Sequence, residues 1–316
     1  MSVDGKRRLP VLQPTPEPQA PEGASRRAFL KLMGAAAATG MTSLTACTAE
    51  QRERFFRKHF KELSADELKR RLSILEAEYE KEYGKKFRVG AEPPIDGVVF
   101  AYGLDISRCI GCRRCVYACV DENNQSRDPQ IHYITVLEME KKHGVDLHHA
   151  NEYYEPEQVP REGHFYFPVA CQQCDNPPCT KVCPVGATWK EADGVVVIDY
   201  DWCIGCRYCM AACPYGARHF NWTSPSIPKD ELNTNTHILG NRPRIQGVVE
   251  KCHFCLQRTR NGRYPACVEV CPVGARKFGK LLDPESEIRQ VIETKRIFIF
   301  KDDLNTHPKF FYFYGL

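Results

Sequence analysis

The sequence predicts an α+β fold made of two interlocked small units, and three observations lead there. The chain of 316 residues contains seventeen cysteines. All but Cys47 fall into four groups of four, and the groups resemble one another. Between the groups run short alternating segments and turn residues, too brief for large helices or broad sheets. Small elements can persist in such a chain because metal ligands cross-link it.

Residues 10 to 22 hold five prolines in thirteen positions, a density that blocks regular secondary structure. The first 46 residues are therefore read as a disordered leader running into Ser25-Arg26-Arg27-Ala28-Phe29-Leu30-Lys31 and an Ala-rich apolar run. That order of features resembles a twin-arginine export signal, although a short helix with two surface arginines would share the pattern. The run ends at Leu44-Thr45-Ala46-Cys47, which looks like a lipoprotein processing site. Cys47 is the expected lipidation residue; an ordinary cysteine near a conventional cleavage point is the alternative. The expected location is the periplasmic side of the cytoplasmic membrane, since acyl chains contribute about 0.8 kcal/mol per buried CH₂.

The leader holds six Lys or Arg against three Asp or Glu, so of 44 basic and 40 acidic residues the remainder keeps 38 against 37, a charge near +1. A near-neutral chain without a basic stripe lacks the cations that drive nucleic-acid binding. No stretch reaches the ~20 apolar residues of a spanning helix.

Residues 47–96 read as a helical extension. Ser64 and Glu67 have capping-box spacing, and Leu68, Leu72, Leu75, Tyr79 and Tyr83 recur on one helical face. Gly84 and then Pro93-Pro94 end the segment.

The chemistry lies in residues 97–280. Motif one is Cys109-Ile-Gly-Cys112-Arg-Arg-Cys115-Val-Tyr-Ala-Cys119, and motif three is Cys203-Ile-Gly-Cys206-Arg-Tyr-Cys209-Met-Ala-Ala-Cys213, identical at eight of eleven positions. Motif two comprises Cys171, Cys174, Cys179 and Cys183; motif four comprises Cys252, Cys255, Cys267 and Cys271. Motifs two, three and four close on Cys-Pro-x-Gly-Ala, an internal repeat built around ligands. Val120 stands where the other three motifs have Pro, which puts the local loop shape in question.

Such spacings suit 4Fe-4S clusters. Three cysteines at two-residue intervals bend around a cubane, and in two-cluster ferredoxins the fourth ligates the neighbouring cluster. A zinc-binding interaction protein is the alternative reading of paired Cys-x-x-Cys, but packed triplets followed by Cys-Pro crowd a tetrahedral zinc. Gly111 and Gly205 permit tight loops.

The nineteen residues between Cys183 and Cys203 leave room for a short helix, a hairpin turning at Asp193-Gly194 and a strand from Val195 to Ile198. Motifs two and three thus form one ferredoxin-like unit, and motifs one and four pair as a second wrapped around it. Four ligand sets follow: Cys109, Cys112 and Cys115 with Cys271; Cys252, Cys255 and Cys267 with Cys119; Cys171, Cys174 and Cys179 with Cys213; Cys203, Cys206 and Cys209 with Cys183.

On these motifs, the span from about Gly97 to Lys280 resembles the iron-sulfur subunits of dimethyl sulfoxide, polysulfide and tetrathionate reductases and of formate dehydrogenases. The resemblance implies four 4Fe-4S clusters and electron transfer without substrate chemistry. It implies as partners a molybdopterin-type catalytic subunit and an integral membrane quinone-reactive anchor subunit, with cytochromes as a further possibility. A membrane-bound hydrogenase or a sulfur-metabolism complex could use the same module. Some relatives hold a 3Fe-4S centre where motif three lacks a cysteine; here all four are present.

Within the insertion 120–170, His132, His143, His148, His149 and His164 are read as solvated or hydrogen-bonded, and the alternation at Ile131 to Val136 as a strand. Arg113, Arg114, Arg207, Lys181 and Lys251 lie beside ligands in the sequence, where positive charge favours anionic clusters; surface solvation explains them equally well. In the extension 281–316, Phe310 to Tyr314 reads as a strand packed on its own domain or as a docking edge.

Overall fold

The computed structural model describes residues 58–315. The leader, the twin-arginine segment and Cys47 lie outside the described residues. Among those described, no helix is long and apolar enough to cross a membrane.

Helix α1 (Ala65–Tyr83) opens on the expected capping box: Ser64 Oγ accepts from the Glu67 amide and the Glu67 carboxylate accepts from the Ser64 amide. Gly84, with φ +71°, closes it in the left-handed conformation that glycine adopts without strain. Leu75 and Tyr79 are buried, and Leu68, Leu72 and Tyr83 pack beside them, so the predicted stripe is the buried face. Beyond it, β1 (Arg88–Gly90) runs parallel to β8 (Asn235–His237).

The largest sheet joins distant parts of the chain. Strand β2 (Phe100–Asp105), which leads into motif one, lies between β10 (Arg276–Lys280), which leaves motif four, and β12 (Phe310–Phe313) from the C-terminal extension. Strand β11 (Ile297–Ile299) covers the outer edge of β12, and α7 (Glu287–Thr294) buries Ile288 against the sheet. Pairing β2 with β10 sets motif one beside motif four. The aromatic tail is an inner strand: Tyr312 stacks on Phe167 at 4.3 Å and Phe310 on Tyr102 at 4.5 Å between ring centroids.

The segment between motifs two and three differs from expectation in one respect. Strands β5 (Thr188–Lys190) and β6 (Val196–Ile198) form an antiparallel hairpin through Asp193 and Gly194, and the expected short helix is replaced by β5. The β-branched and aromatic pair Thr188-Trp189 favours strand, and two strands with their turn use up the short connection.

In the insertion, β3 (Thr135–Glu140) pairs antiparallel with β4 (His164–Val169). The strand starts later than Ile131 because the chain before it bonds elsewhere. The Ile131 amide donates to the Ser126 carbonyl, and the Tyr133 amide to Gln125 Oε1. A last small pair, β7 (His219–Phe220) with β9 (Val249–Glu250), links motif three to motif four.

Candidate metal centres

Short helices carry five of the motif cysteines, and loops carry the others. Cys115 and Cys119 sit on α2 (Arg114–Glu122), Cys179 on α3 (Pro178–Lys181), Cys209 on α4 (Tyr208–Ala211) and Cys267 on α6 (Ala266–Glu269), while α5 (Leu256–Thr259) follows Cys255. Helix α2 packs against α6, and α3 against α4. Motif one therefore meets motif four, and motif two meets motif three.

Proline explains the helix lengths. Pro184, Pro214 and Pro272 disfavour helical backbone at the residue before them, and α3, α4 and α6 stop after four residues, just short of Cys183, Cys213 and Cys271. Val120 imposes no such stop, so α2 runs nine residues and keeps Cys119 inside it. The longer helix delivers two amides to the sulfur. Gln125 Nε2 donates to Cys119 Sγ at 3.2 Å, and Asn123 Nδ2 reaches Cys119 Sγ at 3.4 Å and Cys255 Sγ at 3.6 Å.

Two glycines are required by close approach. A Cβ on Gly205, at φ +71°, would lie 2.2 Å from the Gly247 carbonyl oxygen, and one on Gly111, at φ +75°, would lie 2.3 Å from the Tyr166 ring.

Two of the four expected ligand sets line cavities. Cys109, Cys112, Cys115 and Cys271 line one cavity together with Arg276. Cys183, Cys203, Cys206 and Cys209 line another together with Arg218. Burial, followed by the sulfurs of Cys255, Cys252 and Cys267, pushes the Cys119 thiol well up. Burial, with Cys171, Cys179 and Cys213 alongside, pushes Cys174 up to about 12.

Sulfurs of neighbouring sets also raise one another's thiols. After burial, which is the larger cause in each case, Cys115 feels Cys267, Cys252 feels Cys171, and Cys209 feels Cys179.

The cations adjacent to ligands in the sequence mostly turn away from sulfur. Arg113 stacks on the Tyr154 ring at 4.2 Å and donates to the Glu152 carbonyl. Arg207 lies over Trp222 at 4.7 Å, Arg114 is exposed, and Lys181 bonds Asn176. Lys251 is buried, but its ammonium donates to the Cys252 carbonyl at 2.6 Å.

Two other arginines reach the sulfurs. Arg276 Nη2 donates to Cys115 Sγ at 3.0 Å, and Arg218 Nη2 to Cys179 Sγ at 3.0 Å. Each occupies the position after Cys-Pro-x-Gly-Ala, so aligning the repeat one residue further exposes them.

The donor set fits an iron-sulfur group. Thiolate is the ligand such clusters take, and burial pushes the Cys109 and Cys252 thiols up to about 12. Iron supplies the positive charge that stabilises them as thiolates. Nε and Nη1 of Arg218 are buried without a partner beside the cavity of Cys183, Cys203, Cys206 and Cys209. Donors left unpaired against a sulfur-lined space suit a sulfur-rich anionic group.

Comparison with known proteins agrees. The 4Fe-4S dicluster domain family matches residues 163–246 and 241–281, and a second family of the same description matches residues 108–187. A selenate reductase subunit of Mesobacillus selenatarsenatis is 37% identical over 236 residues, covering 71% of this chain and 75% of that protein. The chain belongs to the 4Fe-4S dicluster family of reductase iron-sulfur subunits. A tetrathionate reductase subunit of Salmonella typhimurium is 37% identical over 67% of this chain and 71% of its own. The menaquinone reductase iron-sulfur cluster-binding subunit of Nitratidesulfovibrio vulgaris is 36% identical over 66% of this chain and 86% of its own. The protein is thus an electron-transfer subunit that carries 4Fe-4S clusters, and the zinc-binding alternative is set aside.

Proposed function

We propose that the iron-sulfur subunit holds its four clusters in the four cysteine sets named from the sequence and passes electrons along them in one fixed order. That order begins at Cys109, Cys112, Cys115 and Cys271 and proceeds to Cys119, Cys252, Cys255 and Cys267. It continues through Cys171, Cys174, Cys179 and Cys213 to Cys183, Cys203, Cys206 and Cys209. The observation that carries this reading is a series of side-chain bridges between sets: Arg276 and Tyr102 between Cys115 and Cys267, Gln173 between motif two and the Cys252 carbonyl, and Arg218 between Cys179 and the cavity that Cys209 lines. When bound, each cluster supplies a one-electron carrier; the protein sets spacing, hydrogen bonding and exclusion of water.

Both ends of the row lie near surfaces suited to partners. Beside Cys203 and Cys206 stand exposed Ile204, Tyr208 and Trp222. Beside Cys109 an open cleft is lined by Lys141, Arg161 and Tyr166. Exposed apolar and aromatic surface like that around Ile204 marks interaction sites, and the cleft beside Cys109 adds the cations Lys141 and Arg161. One end accordingly meets a molybdopterin-type catalytic subunit and the other a quinone-reactive membrane subunit, with Cys47 lipidated and the assembly on the periplasmic side of the membrane.

Serine variants at the two ends test the row within the assembled complex. Cys112→Ser should block electron exchange with one partner and Cys206→Ser with the other, each removing one cluster's electron paramagnetic resonance signal. If both variants block the same partner, the order is wrong.

A further inference from the structure

Arg276 and Arg218 stand in the same place in two repeats. Each follows Cys-Pro-x-Gly-Ala, one after Cys271 and one after Cys213. Motif two has Thr188 at that position, and motif one lacks the ending. One buried arginine therefore falls to each pair of motifs.

Each arginine spans two cysteine sets. Arg276 donates to Cys115 Sγ through Nη2 and to the Tyr102 hydroxyl through Nη1 at 2.8 Å. Tyr102 in turn stands 3.5 Å from Cys267 Sγ. A continuous line of polar contacts thus runs from the Cys109 set to the Cys252 set. Arg218 donates through Nη2 to Cys179 Sγ and to Thr188 Oγ1, both at 3.0 Å, and it lines the cavity that Cys209 also lines. It therefore faces the Cys171 set and the Cys203 set together.

The neighbours of these guanidiniums are sulfurs and hydroxyls rather than carboxylates. Both guanidiniums belong to buried side chains, each about 4% exposed. In a buried site a charge acts far more strongly than in water. A fixed cation donating to a ligand sulfur favours the reduced, more negative cluster, which raises its potential.

We infer that Arg276 and Arg218 are positioning residues that raise the reduction potentials of the clusters in pairs, each guanidinium shared by the two clusters of one ferredoxin-like unit. Tyr102 extends the influence of Arg276 to the cluster held by Cys267. This rests on the ligand sets proposed above.

The test is a redox titration of the anaerobically purified full chain, followed by electron paramagnetic resonance, with iron and sulfide counted first. Cys112→Ser and Cys206→Ser identify the waves of the two end clusters. Arg276→Gln should move two of the four waves to lower potential, including the one assigned by Cys112→Ser, and leave the other two in place. Arg218→Gln should do the reverse. Arg276→Lys, which keeps the charge, should restore most of the shift. Tyr102→Phe keeps the ring and should lower one wave only, so it carries the test if Arg276→Gln does not assemble. Unmoved waves in fully loaded variants, or a uniform shift of all four, would overturn the assignment. A wild-type protein lacking four clusters would instead overturn the ligand sets.

Discussion

Gln173 Nε2 donates to the Cys252 carbonyl at 2.8 Å, tying the motif-two loop to the motif-four loop. Its Oε1 accepts from the Val196 amide, also at 2.8 Å, and the side chain is fully buried. This contact closes the join between the two ferredoxin-like units. Gln173→Leu leaves the buried Val196 amide unpaired, at about 1–3 kcal/mol, while the Cys252 carbonyl keeps the Lys251 ammonium. The anaerobic unfolding midpoint in guanidinium should fall accordingly, with iron released earlier. A loss below about 0.5 kcal/mol would show that the join does not depend on this side chain.

Gly205→Ala should be more damaging than Gly111→Ala. The added methyl at 205 meets a backbone carbonyl that cannot swing away, whereas at 111 it meets the Tyr166 ring. Left-handed backbone and overpacking together give a loss of about 2–4 kcal/mol at 205, and Tyr166→Ala should rescue Gly111→Ala only. Stability and iron content of the four variants measure this. Equal damage at both glycines, or rescue of both, would contradict the geometry.

Acid should weaken the fold through His237. Its Nδ1 accepts from the Leu239 amide at 3.1 Å and its Nε2 faces the Glu92 carbonyl at 3.1 Å, an arrangement that requires the neutral ring. Burial pushes its pKa down from 6.5 to about 4. Between those values the unfolded chain binds the extra proton, so stability is complete above pH 6.5 and falls as pH drops, by about 2 kcal/mol at pH 5. His237→Gln should flatten this part of the pH–stability curve; an unchanged slope in the variant would assign the acid sensitivity elsewhere.

Much of the site is legible in the sequence because its signals are local. The cysteine spacings, the Ser64–Glu67 cap and the aromatic run of the tail each depend on a few adjacent residues. Arg276, Arg218 and Gln173 escape such a reading for the opposite reason: each reaches a loop far away in sequence, and only the pairing of motifs brings that loop near. Cations next to the ligands are the wrong signal, since α2 and α4 begin at left-handed Arg113 and Arg207, whose side chains stack on aromatic rings. Val120 stands out in the sequence, but its effect is not a deformed loop. Losing the proline lengthens a helix.

Membrane attachment is expected to depend on Cys47. With partner subunits removed, Cys47→Ser should shift the protein from the membrane to the soluble fraction if, as proposed, acyl chains on Cys47 supply the apolar anchoring. Mass spectrometry of the mature N-terminus gives an independent reading. An unmodified Cys47, or membrane retention of the serine variant, would count against lipidation.

Iron and acid-labile sulfide analysis of the anaerobically purified chain tests the whole account most directly. Four cubanes on sixteen cysteines predict about sixteen iron and sixteen sulfide per chain, with four reducible centres. Zinc without sulfide, or iron for only two clusters in a fully folded protein, would contradict it.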